Sequence, residues 1–515
     1  MPSLFYLPQD VWRDTVISFV PSLRDLVRLD SALTNKLCRT AFHISIRGIK
    51  HDWCVESDKR AFKWFQQRYI VVPSVAFTLK KKKETCVGSL LSMMRKVTGR
   101  NALHHSRTFE RTMQAQSSTL TRLYINTNNI RDVSGLRYAI HLTNLSVFCC
   151  QLVTSESFVR GISECTNLRK CSVVYNKLLG EEATAAVLFN CKELRELIVS
   201  QPANLDNIFE RISQPLKLQK FDWQHIAPIV TRSVLHTIAN QMPQLEHLSW
   251  IASRRSTFAA SEFHQVIRKC VQLKVLQISG PGFFTSQSLL LISQSLTSLR
   301  QINLAANAEV SDAGVIALAQ GCILLEHLNL SYSHTLTDGA IQAVGTHCQL
   351  LSYLNVRECT QLTDNAFRTL NVESLRYLDV SGTQVKGTFT THLFGNASAV
   401  AFLDCTACPN LHRNLLLIPP INCLTGLSLS KISLKHADWL SLSLRLPMLR
   451  SLSLSTCAGV DVAVLRSFAL NCSALRMLYV TDSYLSPAEK EEFTMWLEAR
   501  TGDRVFLFMM PCHPY

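Results

Sequence analysis

Apolar residues recur along most of this chain in one arrangement: an apolar position, two variable ones, a second apolar position, one variable, then a third. The stretch from Cys322 to Ala366 carries it most plainly. It reads CILLEHLNLSYSHTLTDGA and then, from Cys348, CQLLSYLNVRECTQLTDNA. Cys322 answers Cys348, Leu325 answers Leu351, Leu328 answers Leu354, Leu330 answers Val356 and Asp338 answers Asp364. The last two apolar positions of each triplet alternate with polar ones, so they share one face of a short strand. Thr337-Asp338 and Thr363-Asp364 then offer N-cap groups for a helix. Ile341 with Val344, and Phe367 with Leu370, give that helix an inward stripe. Self-similarity at this period predicts a quasi-one-dimensional stack of strand–helix units.

The first apolar position of the triplet falls at Leu120, Leu142, Leu168, Leu194, Leu218, Leu245, Leu273, Leu299, Leu325, Leu351, Leu375, Val400, Leu424, Leu449 and Leu475. These define about 15 units of about 25 residues over 120–500. A unit of that size buries too little apolar surface to offset the entropy of ordering it, so stacking must supply the rest and the units are expected to form one cooperative arc. Cys165, Cys191, Cys270, Cys322, Cys348 and Cys472 each stand three residues before a first leucine. There cysteine acts as a small buried hydrophobe. Cys359, Cys408 and Cys457 recur at one position after the strand, which Asn307, Ser333 and Thr383 hold in other units. A small polar group at that place can bond the backbone of the turn. The L-x-x-L-x-L triplet, the two cysteine positions and the Thr-Asp pair together resemble the cysteine-containing subclass of leucine-rich repeats. The resemblance implies an α/β leucine-rich-repeat solenoid, a curved parallel sheet with outer helices.

Residues 4–40 have a different pattern. Leu7-Pro8 precedes a helix, with Pro8 tolerated in a first turn and Asp10 favourable near its start. Val11, Thr15, Val16 and Phe19 line one face. Pro21-Ser22 breaks this helix, and Leu23, Leu26, Val27 and Leu29 begin a second. Such a hairpin has more apolar surface than it can bury alone. It resembles an F-box through Leu7, Pro8, Asp10, Val11, Ile17, Phe19, Leu23, Asp25, Leu26 and Leu29. That resemblance implies that Leu7, Pro8, Val11, Ile17, Phe19, Leu23, Leu26 and Leu29 dock on the adaptor subunit of a ubiquitin ligase. The chain departs from the family pattern at Asp30–Lys36, where an aromatic residue is usual. A plain helical cap on the first repeat is the alternative reading of the same segment.

The domain expectation is therefore a helical hairpin at 1–45, a transition at 46–119, the repeats at 120–500, and a capping strand and tail at 501–515. In the transition, Trp53, Phe62, Trp64, Phe65 and Tyr69 are expected to pack the hairpin onto the first repeat. Val72, Val75 and Phe77 fall at the repeat's spacing, with room for one degenerate repeat before Leu120. Gly99–Gln116 reads as a long loop, and Arg504–Met509 as a last strand.

Composition narrows the class. Hydrophobic content of 47% with 18% charged residues describes an ordered chain. The N-terminus lacks the basic and apolar regions of a signal peptide. Eighteen cysteines in repeat positions point to free thiols in a reducing compartment, cytoplasmic or nuclear. Residues 1–120 hold 20 basic and 9 acidic residues, so +11 of the net +15 lies there. A basic region of that kind suits an acidic or RNA partner, or is simply a solvated face.

Candidate chemistry is sparse. Cys405-x-x-Cys408 has no second pair to complete a zinc site, so core cysteines are the reading. His51 and Cys54 lack a complement. No phosphate-cradling glycine motif or nucleophile elbow occurs. We expect no catalysis, cofactor or metal. What remains is the concave face of the strands, where His327, Tyr332, Tyr353, Arg357, Tyr377, Asp379, Phe402 and Asp404 concentrate aromatic and charged groups. Tyr and Arg anchor interfaces. With the F-box resemblance, the implied function is a non-catalytic substrate receptor of a cullin-RING (SCF-type) ubiquitin ligase, with the target on this face. The alternative is a structural or scaffold subunit of a large protein or ribonucleoprotein assembly.

Overall fold

A computed structural model describes residues 74–78, 99–126, 130–200, 204–225, 228–253, 255–279, 283–395, 398–411, 421–481, 485–501 and 505–508. The hairpin at 4–40 and the aromatic cluster Trp53–Tyr69 lie outside these. The chain forms two compact units, up to Leu245 and from Glu246.

Among the described residues of the N-terminal unit, six short strands form a parallel sheet. Ser74–Thr78, Arg122–Asn126, Asn144–Phe148, Lys170–Val174, Glu196–Val199 and Lys220–Trp223 pair in that order. Among the described residues of the C-terminal unit, eleven parallel strands follow one another in chain order, from His247–Ile251 to Phe506–Phe508. Each strand in the repeat region begins two residues after one of the apolar positions named above: Leu325 leads to His327–Asn329, and Leu351 to Tyr353–Asn355. The alternation predicted for these strands appears as burial of the central residue between two half-exposed ones. Leu325, Leu328 and Leu330 are all buried completely, as are their counterparts Leu354 and Val356.

Most strands are followed by a helix on the other side of the unit. Asp312–Gly321 and Asp338–His347 pack side by side, burying Val315 and Leu318 on one and Ile341 and Val344 on the other. Phe367 and Leu370 are also buried, but the segment that carries Phe367 is a single 3-10 turn, Asp364–Phe367.

Three expectations change. The stretch read as a loop at 99–116 is a helix, Gly99–Ala115, with Phe109 and Met113 buried one turn apart. No degenerate repeat separates the strand at 74–78 from the regular ones, because Ser74–Thr78 pairs directly with Arg122–Asn126. The Thr-Asp pair also works differently from a simple cap. Asp338 accepts hydrogen bonds from the Thr363 backbone N–H (2.7 Å) and hydroxyl (2.5 Å) of the next repeat, and Asp312 likewise takes the Thr337 N–H at 2.9 Å. Thr337 makes no side-chain bond to its own helix, whereas Thr363 accepts from Asn365. The acid thus staples two repeats together, at a helix start where negative charge is favoured.

The cysteines do the same from within. Cys359 donates to the Leu330 carbonyl at 3.2 Å, Cys408 to Val380 at 3.2 Å and Cys457 to Leu429 at 3.1 Å, each reaching back one repeat. The six cysteines before the first leucines are buried, and burial pushes Cys322 and Cys348 up to about 12. All described cysteines are free thiols. Of the last strand, Phe506–Phe508 pairs with Met477–Tyr479.

Candidate functional site

The open face of the C-terminal unit is built from the variable positions of the triplet. Parallel register aligns them, so His327 lies beside Tyr353, Tyr353 beside Tyr377, Tyr377 beside Phe402 and Phe402 beside Gly426. Neighbouring strands are about 4.8 Å apart, close to the separation of stacked rings. The rings take up that spacing. Centroids are 5.5 Å apart between His327 and Tyr353, 4.4 Å between Tyr353 and Tyr377, and 4.8 Å between Tyr377 and Phe402. The last pair is tilted by only 2°. The stack ends over Gly426, where an added Cβ would sit 2.4 Å from the Phe402 ring. Glycine is therefore required there by the ring that covers it. All four rings are half-exposed.

The next variable position carries Asn303, Asn329, Asn355, Asp379 and Asp404. Each side chain accepts the backbone N–H two residues on: Ala305 at 3.0 Å, Ser331 at 3.0 Å, Arg357 at 2.9 Å, Ser381 at 2.9 Å and Thr406 at 2.8 Å. These are Asx turns, which lead the chain out of the strand. The residue after each of these donors takes a left-handed conformation in repeat after repeat, at Ala306, Tyr332, Glu358, Gly382 and Ala407. Asp379 is 4% exposed and also accepts from the Ser381 hydroxyl, so it sits beneath the face rather than on it. Burial raises its carboxyl; the bonds from Ser381 oppose this, Asp404 adds to it, and Arg357 counters it.

Arg357 and Tyr332 flank the stack. The Tyr332 N–H donates to the Arg357 carbonyl at 2.7 Å, and the Tyr332 ring is 45% exposed at φ 63°. Burial opposes the charge on Arg357, but Tyr332, Asp379 and Asp404 outweigh it and hold the guanidinium firmly protonated. Its Nε is buried without a hydrogen-bond partner. Burial, followed by Asp379 and Tyr353, likewise raises the Tyr377 phenol. The structure therefore brings together all eight residues of the expected face, with the four rings, Tyr332, Arg357 and Asp404 at the surface and Asp379 supporting them. Sequence reading missed Gly426 as the floor of the stack. It also missed Glu358, whose carboxylate lies against Gly382.

Elsewhere the chemistry is that of packing. Cys405 is fully buried and Cys408 donates to a backbone carbonyl. Among the described residues, no group of three or more His, Cys, Asp and Glu side chains is placed to hold a metal ion. No described helix is long and apolar enough to cross a membrane. Leu7, Pro8, Val11, Ile17, Phe19, Leu23, Leu26 and Leu29, expected from the F-box resemblance to meet an adaptor, lie with His51 and Cys54 outside the described residues.

A family model described as Leucine Rich repeat matches residues 295–319. No curated protein matches in sequence. Among solved structures, the chain is similar to the yeast Rad7 and Elc1 complex, at 13% identity over 82% of this chain and 98% of that one, with a TM-score of 0.47. It is similar to the mouse RP105/MD-1 complex at 13% identity, over 77% of this chain and 68% of that one (TM-score 0.45). It is also similar to an LRR protein of Leptospira interrogans at 16% identity, over 77% and 97% (TM-score 0.41). The fold is an α/β leucine-rich-repeat solenoid.

Proposed function

We propose that this chain is a non-catalytic protein-binding receptor that holds its target against the face from His327 to Asp404. One observation carries the reading: four aromatic rings are stacked in register on an open sheet face, bordered by Tyr332 and Arg357. Rings that already order one another lose little freedom when a partner arrives, which favours affinity. Aromatic and arginine side chains are also the usual anchors of protein interfaces.

The F-box-like pattern Leu7-Pro8 to Leu29 supports a finer reading, a substrate receptor of an SCF-type ubiquitin ligase in the cytoplasm or nucleus. The hairpin takes the adaptor, the face takes the target, and the transfer chemistry belongs to other subunits. The test uses the full chain in two variants. Leu7→Asp with Leu26→Asp is expected to lose the adaptor and keep the target. Tyr332→Ala with Arg357→Glu is expected to do the reverse. An unmodified chain that never captures the adaptor ends the ligase reading.

The departure at Asp30–Lys36 and the +11 skew of residues 1–120 favour the second reading, a scaffold subunit of a large assembly whose hairpin is only a cap. Sedimentation with a large particle that added salt disperses supports it.

A further inference from the structure

Each repeat turns into its strand through two variable residues, and neighbouring turns lie about 4.8 Å apart. Charges there meet their counterparts one repeat on. In the C-terminal unit two such pairs form, Lys274 with Glu246 at 2.7 Å and Arg300 with Glu326. In the N-terminal unit basic residues outnumber acidic ones over three successive turns. Lys170 pairs with Glu196 and Lys217 with Glu193, both at 2.5 Å. The same turns also carry Arg169, Lys192, Arg195 and Lys220. Arg169 and Arg195 are exposed, and the carboxylate near them, Glu193, is already taken by Lys217. Their backbones are fixed in the ladder, Arg169 N–H to Thr143 at 2.8 Å and Arg195 N–H to Arg169 at 2.8 Å.

Two hollows adjoin this strip. One, of about 290 Å³, lies on the open face of the sheet, with Ser146 and Ser172 as a small-residue floor between Tyr124 and Ile198. The other, of about 460 Å³, has Arg169, His141, Asn167 and Glu193 among its lining residues. We infer that this edge of the N-terminal unit docks an acidic peptide segment, its carboxylates on Arg169 and Arg195 and an apolar side chain between Tyr124 and Ile198. A peptide supplies acidic and apolar groups in alternation along one extended chain. A nucleic acid fits less well. The open-face hollow offers one ring, where single strands use successive stacking platforms. The inference uses no residue of the 327–404 face or of the hairpin, so either can fail without the other.

The experiment titrates the full chain with a fluorescein-labelled peptide of repeated Glu-Leu-Glu-Gly and follows anisotropy. The expected result is saturable binding that weakens as salt is added. Arg169→Glu with Arg195→Glu should weaken it by about tenfold or more, Arg169→Gln with Arg195→Gln by less, and Tyr332→Ala with Arg357→Glu not at all. The paired Gln variant keeps the test valid if the reversal disturbs folding. Absence of saturable binding, equal binding by both arginine variants and the parent chain, or displacement by a single-stranded oligonucleotide that binds more tightly would overturn the inference.

Discussion

At the scale of single residues, the face depends on groups that serve the turn beneath it. Asp379 has its carboxyl raised by burial, so the native chain binds that proton more readily than the unfolded one. Ionising it therefore costs stability as pH rises above the ordinary aspartate value of about 4. Asp379→Asn keeps an oxygen acceptor for Ser381 and removes the charge. It is expected to raise stability at neutral pH, with the gain disappearing below about pH 4. Urea midpoints at the two pH values measure this, and a gain that grows on acidification contradicts it. The cysteines allow a second check. Buried thiols raised to about 12, such as Cys165, Cys270 and Cys472, present almost no thiolate at neutral pH. Alkylation of the native chain, mapped by mass spectrometry, should mark Cys149 and Cys423 ahead of every other described cysteine, because only these two are partly exposed. Labelling of Cys322 or Cys348 before denaturant is added is the contrary result.

At the scale of elements, each repeat is held by its neighbour through polar staples as well as through leucines. Asp338 reaches the next repeat at Thr363, while Asp461 caps its own helix through Val464 at 2.9 Å. Asp338→Ala should cost about 2 kcal/mol, because it removes two charge-assisted bonds. Asp461→Ala should cost about 1 kcal/mol, as an ordinary cap does. Hydrogen exchange separates them: the first loosens Asp338–His347 and the turn at Thr363 in the following repeat, the second Val462–Asn471 and, through the contact of Asp461 with His436 at 3.1 Å, the start of His436–Ser443 in the preceding one. These staples were half legible. Thr-Asp before a helix reads locally as a cap, and nothing in the linear order says that the carboxylate turns to the following repeat. The strands were legible throughout, even at Lys220–Trp223, where Phe221 and Trp223 stand in for leucines, because alternation survives a change of side chain. Helix Gly99–Ala115 was not, since its inward stripe falls among His, Arg and Gln and resembles a polar linker. At the site, alternation placed all eight residues on one face. It could not separate Asp379, buried, from Asp404, half-exposed, because both are aspartates at the same repeat position and both accept the N–H two residues on.

At the scale of the whole molecule, the described repeats present extended surfaces. Each unit stacks strands in exact chain order, so residues from four successive repeats become one row of rings, and side chains distant in sequence act as a single patch. On the proposed function, this patch is where another protein sits. The most direct measurement places a photo-crosslinking amino acid at Tyr332, 45% exposed beside Arg357, and a second at Leu444, 69% exposed after the helix His436–Ser443 of the same unit. After irradiation of the full chain in cells, position 332 is predicted to yield a discrete protein adduct that Arg357→Glu abolishes, and position 444 to yield none. Adducts from 444 alone, or the same adducts from both positions regardless of Arg357, would contradict the account.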